Sequence, residues 1–180
     1  MLKPPADDHL MITTDRLVLE PIKVAHAHEM VSVLSDLQLY DFIPQDPPDL
    51  GKLEKTYEVW AQRISPDKGE LWLNWAARWK DSGKLIGHFQ VGYKPDEASI
   101  AYTVGLNFQR RGFALEALQE IIRFLKESLR CKTIKAWIDT RNKPSIELVK
   151  KLGMSQVNYI PKADHFKGAD SDEFVFELVL

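Results

Sequence analysis

The stretch Val104-Gly105-Leu106-Asn107-Phe108-Gln109-Arg110-Arg111-Gly112-Phe113-Ala114-Leu115-Glu116 decides how this chain is read. Its first residues end an expected strand, and an amphipathic helix begins directly after the turn. In that helix Leu115, Leu118, Ile122, Leu125 and Leu129 recur at spacings of 3, 4, 3 and 4, one apolar stripe of a 3.6-residue period. The first N–H groups of a helix have no intrahelical partner. Together with the positive end of the helix dipole they form an anion site suited to phosphate. Gly112 lets the backbone approach a ligand closely, and Arg110 and Arg111 add positive charge. The segment reads as a diphosphate-binding turn. It is not the dinucleotide fingerprint G-x-G-x-x-G, because Gly112 is the only glycine in the turn, and the P-loop pattern occurs nowhere in the chain.

Composition narrows the setting. A chain of 180 residues fits one domain over 1–180, with residues 1–12 expected to be a loosely ordered N-terminal segment. Hydrophobic residues at 44% and charged residues at 28% are ordinary for a globular protein. A net charge of −2 gives no general attraction to nucleic acid or to an anionic membrane, so neither is expected as a direct partner. A local basic patch from Arg110, Arg111, Arg123, Lys126, Arg130 and Lys132 is still allowed near the turn. Cys131 is the sole cysteine, which excludes an intrachain disulfide and a Cys-based metal site. The five histidines show no metal spacing; His26 and His28 are two apart in an expected helix and point away from each other. No apolar run reaches membrane-spanning length, and the N-terminus lacks a signal-peptide core. The expectation is a reduced, cytoplasmic protein without a metal.

Outward from the turn, periodicity gives the remaining elements. Thr14 to Glu20 alternates as a first strand, and Pro21 is expected to open a helix with Ala25, Met30, Val33, Leu34 and Leu37 inward. The Pro-containing stretch from Leu39 to Leu50 reads as a loop. Leu50, Leu53, Tyr57, Trp60 and Ile64 mark a second helix. Strands at Leu71 to Trp79 and Lys84 to Tyr93 are joined by Asp81-Ser82-Gly83, a hairpin signal, and another strand runs from Ser99 to Gly105. After the helix that follows the turn come a strand at Thr133 to Asp139, a short helix at Pro144 to Leu152, and strands at Gln156 to Ile160 and Glu173 to Leu180. The order β–α–α–β–β–β–α–β–α–β–β predicts an α/β (α+β) protein, with a six- to seven-stranded, mostly antiparallel mixed sheet and helices on both faces.

The turn resembles the coenzyme A turn of the GNAT superfamily of acyl-CoA N-acyltransferases, [QR]-x-x-G-x-[GA], with Gln109, Gly112 and Ala114 at its fixed positions. The resemblance extends over nearly the whole chain and is nearest to the ribosomal-protein N-terminal (alanine/serine) acetyltransferase branch. Thr14-Asp15-Arg16-Leu17-Val18-Leu19 matches T-x-R-L-x-L, and Gly83-Lys84-Leu85-Ile86-Gly87 matches a G-x-x-I-G hairpin. Ala114-Leu115-Glu116-Ala117-Leu118 matches A-x-E-A-L. Asn142-Lys143-Pro144-Ser145, then Leu152-Gly153-Met154, matches N-x-x-S followed by L-G-[FM].

The resemblance implies a GNAT fold and direct transfer of an acetyl group from acetyl-CoA to a primary amine. It implies pyrophosphate contacts from Gln109, Arg110, Arg111, Gly112, Phe113 and Ala114. It implies pantetheine contacts from the backbone of Tyr102, Thr103, Val104 and Gly105, with the Val104 N–H as oxyanion donor, and a coenzyme contact from Asn142. Asn142 also reads as a helix cap without any ligand. Ser145 would bind the coenzyme and donate to the departing thiolate.

Two departures stand out. Val149 occupies the place where many members carry a tyrosine acid, and Ser99 replaces a frequent strand glutamate. That leaves Glu97, two residues earlier, and His88 as candidate bases. Glu116 sits where a helix dipole stabilises any carboxylate. Tyr40 and Phe42, and the segment from Tyr159 to Asp172, are expected to border the acceptor cleft. The expected acceptor is a protein or peptide N-terminal amine. A small-molecule amine such as a polyamine or aminoglycoside, and an acyl-CoA-binding module without catalysis, are the alternatives. The reading allows a homodimer.

Overall fold

The computed structural model describes residues 2–180. In chain order the elements are α1 (Asp7–Leu10), β1 (Ile12–Thr13), β2 (Leu17–Pro21), α2 (Ala27–Val33), α3 (Leu50–Trp60), β3 (Leu71–Trp79), β4 (Leu85–Lys94) and β5 (Glu97–Val104). They continue with α4 (Phe113–Ser128), β6 (Thr133–Asp139), α5 (Lys143–Lys151), β7 (Ser155–Phe166) and β8 (Ala169–Val179). The strands form one sheet in the order β1-β2-β3-β4-β5-β6-β8-β7. All neighbours are antiparallel except β5 and β6. This is the expected mixed α+β class, with one more strand than expected.

That strand lies in the segment expected to be loosely ordered. Ile12 and Thr13 pair with Leu19 and Val18, and the helical turn before them buries Leu10, whose carbonyl accepts from the Trp75 indole at 2.6 Å. Leu10 and Ile12 are apolar residues that the core takes up, which a terminal position hides from a sequence reading. Pro21 is a second difference. It closes β2 opposite Trp75 instead of opening a helix, and the pairing continues through the Ile22 N–H to the Asn74 carbonyl at 2.9 Å. Proline at a strand end costs no ladder bond, so its helix-opening tendency is not decisive. The helix starts at Ala27 and ends at Val33, leaving Leu37 exposed in a 3-10 turn.

Core packing follows the alternation of the strands. Leu73, Trp75, Phe89, Val91, Ile100, Ile134 and Phe176 point to the face covered by α4 and α5, where Phe113, Ala117, Leu118, Ile121 and Leu125 of α4 meet them. Ala76 and Leu85 point to the other face and pack with Met30, Leu34, Leu53 and Tyr57 from α2 and α3. Burial of aliphatic and aromatic side chains on both faces of β3 and β4 makes them the rigid centre of the sheet. The feature that places the site is the parallel pair. β5 and β6 are in register only over Glu97–Ser99 against Thr133–Lys135. Beyond that point β5 stays with β4 as far as Val104, whereas β6 stays with β8 as far as Asp139.

Candidate active site

Where β5 and β6 part, a cleft of about 550 Å³ opens. Its lining comes from β5 (Tyr102, Thr103, Val104), the turn (Gln109, Arg110, Gly112), the start of α4 and the start of α5 (Asn142, Ser145). The loop before α3 supplies Gln38, Leu39, Asp41, Phe42 and Ile43. Directions of the β5 backbone follow from strand alternation. The Gly105 N–H donates to the Ile86 carbonyl at 2.9 Å, toward β4. The carbonyl of Thr103 also faces β4, since it would meet a Cβ on Gly87. The N–H and C=O groups of Tyr102 and Val104 therefore face the open edge, where no strand pairs with them. The Val104 carbonyl is taken by the Gln109 side-chain amide at 2.9 Å. Of the β5 amides expected to meet a pantetheine, those of Tyr102 and Val104 are free to do so, and those of Thr103 and Gly105 are turned to β4. Thr103 is also among the residues that line the cleft.

The turn itself is built for an anion. Arg110 (φ 61°) and Gly112 (φ 81°) are both left-handed, with Arg111 between them on the other side of the Ramachandran plot. Such alternation turns successive N–H groups to one concave side. Gly112 is the N-cap of α4 and offers no side-chain cap to the helix's first N–H groups, so these stay available. Arg110 lines the cleft; the Arg111 guanidinium does not, lying over the Trp79 ring at 4.7 Å and the Phe113 ring at 5.6 Å. The wider basic patch is not assembled. Arg123 pairs with Glu120 and Lys132 with Asp96, toward the far end of α4. Lys151, which the sequence reading passed over, does line the cleft.

A brace behind the turn explains the T-x-R-L-x-L segment. Glu116 accepts hydrogen bonds from the Thr14 hydroxyl, the Arg16 N–H at 2.8 Å and the Arg16 Nε at 2.6 Å. The other arm of Arg16 donates to the Arg111 carbonyl at 2.9 Å, and its guanidinium lies 4.6 Å from the Phe113 ring centroid. Burial alone would raise the Glu116 carboxyl, but the bonds from Thr14 and Arg16 outweigh it and hold the group below its usual range. Both halves of this brace were visible in the sequence, but about a hundred residues separate them and no local pattern connects them.

At the start of α5 Asn142 is the N-cap, accepting from the Ser145 N–H at 3.2 Å, and both side chains line the cleft. Val149 is fully buried and packs in the core, so no polar group reaches the cleft from that position. The two candidate bases are not brought to the site. Glu97 is at the opposite end of β5 from Val104, seven residues or roughly 23 Å away along the strand, and pairs with Lys135 at 2.6 Å. His88 is buried beneath α3, with Nδ1 3.0 Å from the Tyr57 hydroxyl and its ring edge-on to Trp60. Desolvation lowers its pKa to about 4, so it is a neutral core histidine at physiological pH. Of the residues expected to border the acceptor, Phe42 lines the cleft, whereas Tyr40 is buried and donates to the Leu34 carbonyl at 2.9 Å. No residue from 159 to 172 lines it, although Lys167 donates to the carbonyl of Tyr40. Among the described residues no group of three or more His, Cys, Asp or Glu is placed to hold a metal ion, and no helix is long and apolar enough to cross a membrane.

An open strand edge beside an uncapped helix start is the geometry that the coenzyme-turn resemblance requires. Residues 16–155 match the family described as the acetyltransferase (GNAT) domain. The chain belongs to the GNAT acetyltransferase family. It is an N-acetyltransferase that uses acetyl-CoA. Over 153 residues it is 25% identical to the uncharacterized N-acetyltransferase YnaD of Bacillus subtilis, covering 84% of this chain and 86% of that one. It is 30% identical over 103 residues to the uncharacterized N-acetyltransferase p20 of Bacillus licheniformis, spanning 56% of this chain and 58% of p20. In fold it is similar to the ribosomal L7/L12 alpha-N-protein acetyltransferase RimL solved in complex with coenzyme A. That likeness has a TM-score of 0.83 at 12% identity, over 94% of this chain and 97% of RimL. The parting of β5 from β6 and the turn at the start of α4 both lie within the residues matched to the family.

Proposed function

We propose that this GNAT enzyme acetylates the α-amine of a protein or peptide, with residues 1–180 acting as one catalytic domain. The observation that carries the reading is the shape of the cleft. The open edge of β5 leads from the uncapped start of α4 to a wall made of Gln38, Leu39, Asp41, Phe42 and Ile43. That wall is mostly uncharged, and the whole cleft lining holds two carboxylates, Asp41 and Glu147, against the cations Arg110 and Lys151. A polyamine or aminoglycoside would call for several carboxylates along its length, whereas a peptide end needs one place for its amine and room for the chain that follows. The likeness to RimL points the same way.

In this reading the pyrophosphate lies on the N–H groups at the start of α4, and the pantetheine adds along β5 as a further strand. The thioester carbonyl then takes the Val104 N–H, which stabilises the oxyanion as the amine attacks. The neutral amine nitrogen bonds to the acetyl carbon, the C–S bond breaks, and the electron pair leaves on sulfur beside the Ser145 hydroxyl. The amine proton passes to water in the cleft. With Glu97 and His88 elsewhere, no side-chain base is invoked; orientation of the amine against the thioester does that part of the work. The coenzyme and acceptor are the only ligands proposed, and the reading is neutral between monomer and homodimer.

The test is thiol release from acetyl-CoA with a set of short peptides differing in their first residue, against spermidine and an aminoglycoside. Turnover with peptides, lost when their N-terminus is blocked, supports the reading. Turnover with the polycations alone would replace it by the small-molecule alternative. Tight acetyl-CoA binding without turnover on any amine would favour an acyl-CoA-binding module.

A further inference from the structure

One face of the sheet is only half covered. α2 and α3 lie over Ala76, Leu85 and His88, and the same face continues past them without a helix. Strand register places Trp72, Gly92, Ser99, Lys135 and Glu177 in one row across it. In the next row Ala101 is exposed although β5 lies inside an eight-stranded sheet, whereas Ala98 and Ile100 on the opposite face are buried. Trp137 stands level with Ala101 and is 46% exposed. A tryptophan beside a bare strand centre is an apolar surface that a partner can cover. The charge here is one-sided. Glu70, Glu97, Glu173 and Glu177 lie on or beside this face, against the cations Lys94 and Lys135. Lys135 is already shared between Glu97 at 2.6 Å and Glu177 at 3.9 Å. Glu173 pairs with no cation among the described residues, and burial with Asp164 and Asp139 nearby pushes its carboxyl above the usual range. The face is short of positive charge.

We propose that this bare face docks the acceptor chain beyond its amine and selects acceptors that carry lysine or arginine at about the third to fifth residues. The proposal rests on the peptide-acceptor reading above and names the substrate class within it. The face is continuous with the cleft: Thr103 lines the cleft, and Ala101 is the next residue of β5 on the same side. Ala101 is three residues, roughly 10 Å, from Val104 along β5, the reach of about three residues of extended peptide. A cationic side chain there meets the Trp137 ring. It also meets carboxylates at both margins, Glu70 beside β3 and Glu173 and Glu177 on β8. Those margins are four strand spacings apart in the sheet order, roughly 19 Å. A linear polyamine follows one line and reaches one margin, whereas side chains that alternate along a peptide reach both. A second copy of this chain fits worse, because an isologous contact would bring two negatively charged faces together with no cation to spare.

Thiol release from acetyl-CoA tests it, with short peptides that share their first two residues and carry lysine, alanine or glutamate at the next three. The lysine peptide should exceed the glutamate peptide at least about tenfold in kcat/KM. The difference should lie in KM, with kcat within about twofold, and should shrink with added salt. Trp137→Ala should cut kcat/KM for the lysine peptide about three- to fivefold, and Glu173→Lys should narrow the gap between the two charged peptides by at least as much. Coenzyme A affinity and Tm, measured alongside, should stay near wild type in both variants, since each side chain is on the solvent side of the sheet. Equal kcat/KM for the three peptides overturns the proposal, as does a lysine preference that survives in both variants. A wild-type dimer that Trp137→Ala dissociates gives the face to a second copy and overturns it as well. Turnover of spermidine with none of any peptide would overturn the reading beneath, and the proposal with it.

Discussion

Gly112 concentrates the recognition problem at a single residue. Its φ of 81° suits glycine, and a Cβ there would sit 3.3 Å from the Arg16 guanidinium. Gly112→Asp would bring a carboxylate to the mouth of the anion site and should weaken coenzyme A binding at least about tenfold. Gly112→Ala, which adds strain without charge, should cost less; titration of both variants separates the two effects. At Ser145 the expected result is the opposite split: Ser145→Ala should leave coenzyme affinity nearly unchanged and lower kcat about tenfold, read by thiol release with the best acceptor. The turn was legible in the sequence because its chemistry lies within one local stretch, Gln109 to Ala114. The base candidates were misplaced for the converse reason. Alternation assigns Glu97 and His88 to a face, but only the sheet shows that Glu97 is at the wrong end of β5 and that α3 covers His88.

At the scale of elements, the approach to β2 and the start of α4 are held as one unit by Thr14, Arg16 and Glu116. Arg16→Gln should loosen the turn, raising the Kd for coenzyme A about three- to tenfold, because one guanidinium arm on the Glu116 carboxylate and another on the Arg111 carbonyl are lost together. Arg16→Lys should not rescue it, since an ammonium has no fork to reach both. Equal affinity in wild type and Arg16→Gln would reduce the brace to packing. Because the folded Glu116 pKa is lowered, the brace contributes fully above its unfolded value near 4.5 and is lost as pH falls through the lower folded one. Most helices and strands were legible from period alone. The elements missed outright were α1 and β1, and Pro21 was assigned to the wrong element, because a single helical turn, two residues of pairing and a proline at a strand end leave almost no periodic signal.

For the whole molecule, the sheet order and the parting of β5 from β6 turn local elements into a site. The succession of strands and helices was readable from sequence; the extent of the parallel register was not, because a ladder that stops after Ser99 carries no side-chain pattern. The same sheet buries His88, and its burial gives the molecule a pH dependence. A histidine whose folded pKa is depressed must be neutral to stay folded, so its contribution is complete above the unfolded value of 6.5 and is lost as pH falls toward about 4. Global stability should therefore drop over that window by up to about 3 kcal/mol, and His88→Phe should flatten the Tm profile there whatever its effect at neutral pH. The central claim, that the turn and the open strand edge form one acetyl-CoA site, is tested most directly by calorimetric titration of acetyl-CoA into the wild type and Gly112→Asp, with NAD as control. One site of micromolar affinity in the wild type, weakened at least about tenfold in the variant and absent for NAD, is the predicted result. No heat of binding in the wild type, or equal affinity in the variant, would contradict it.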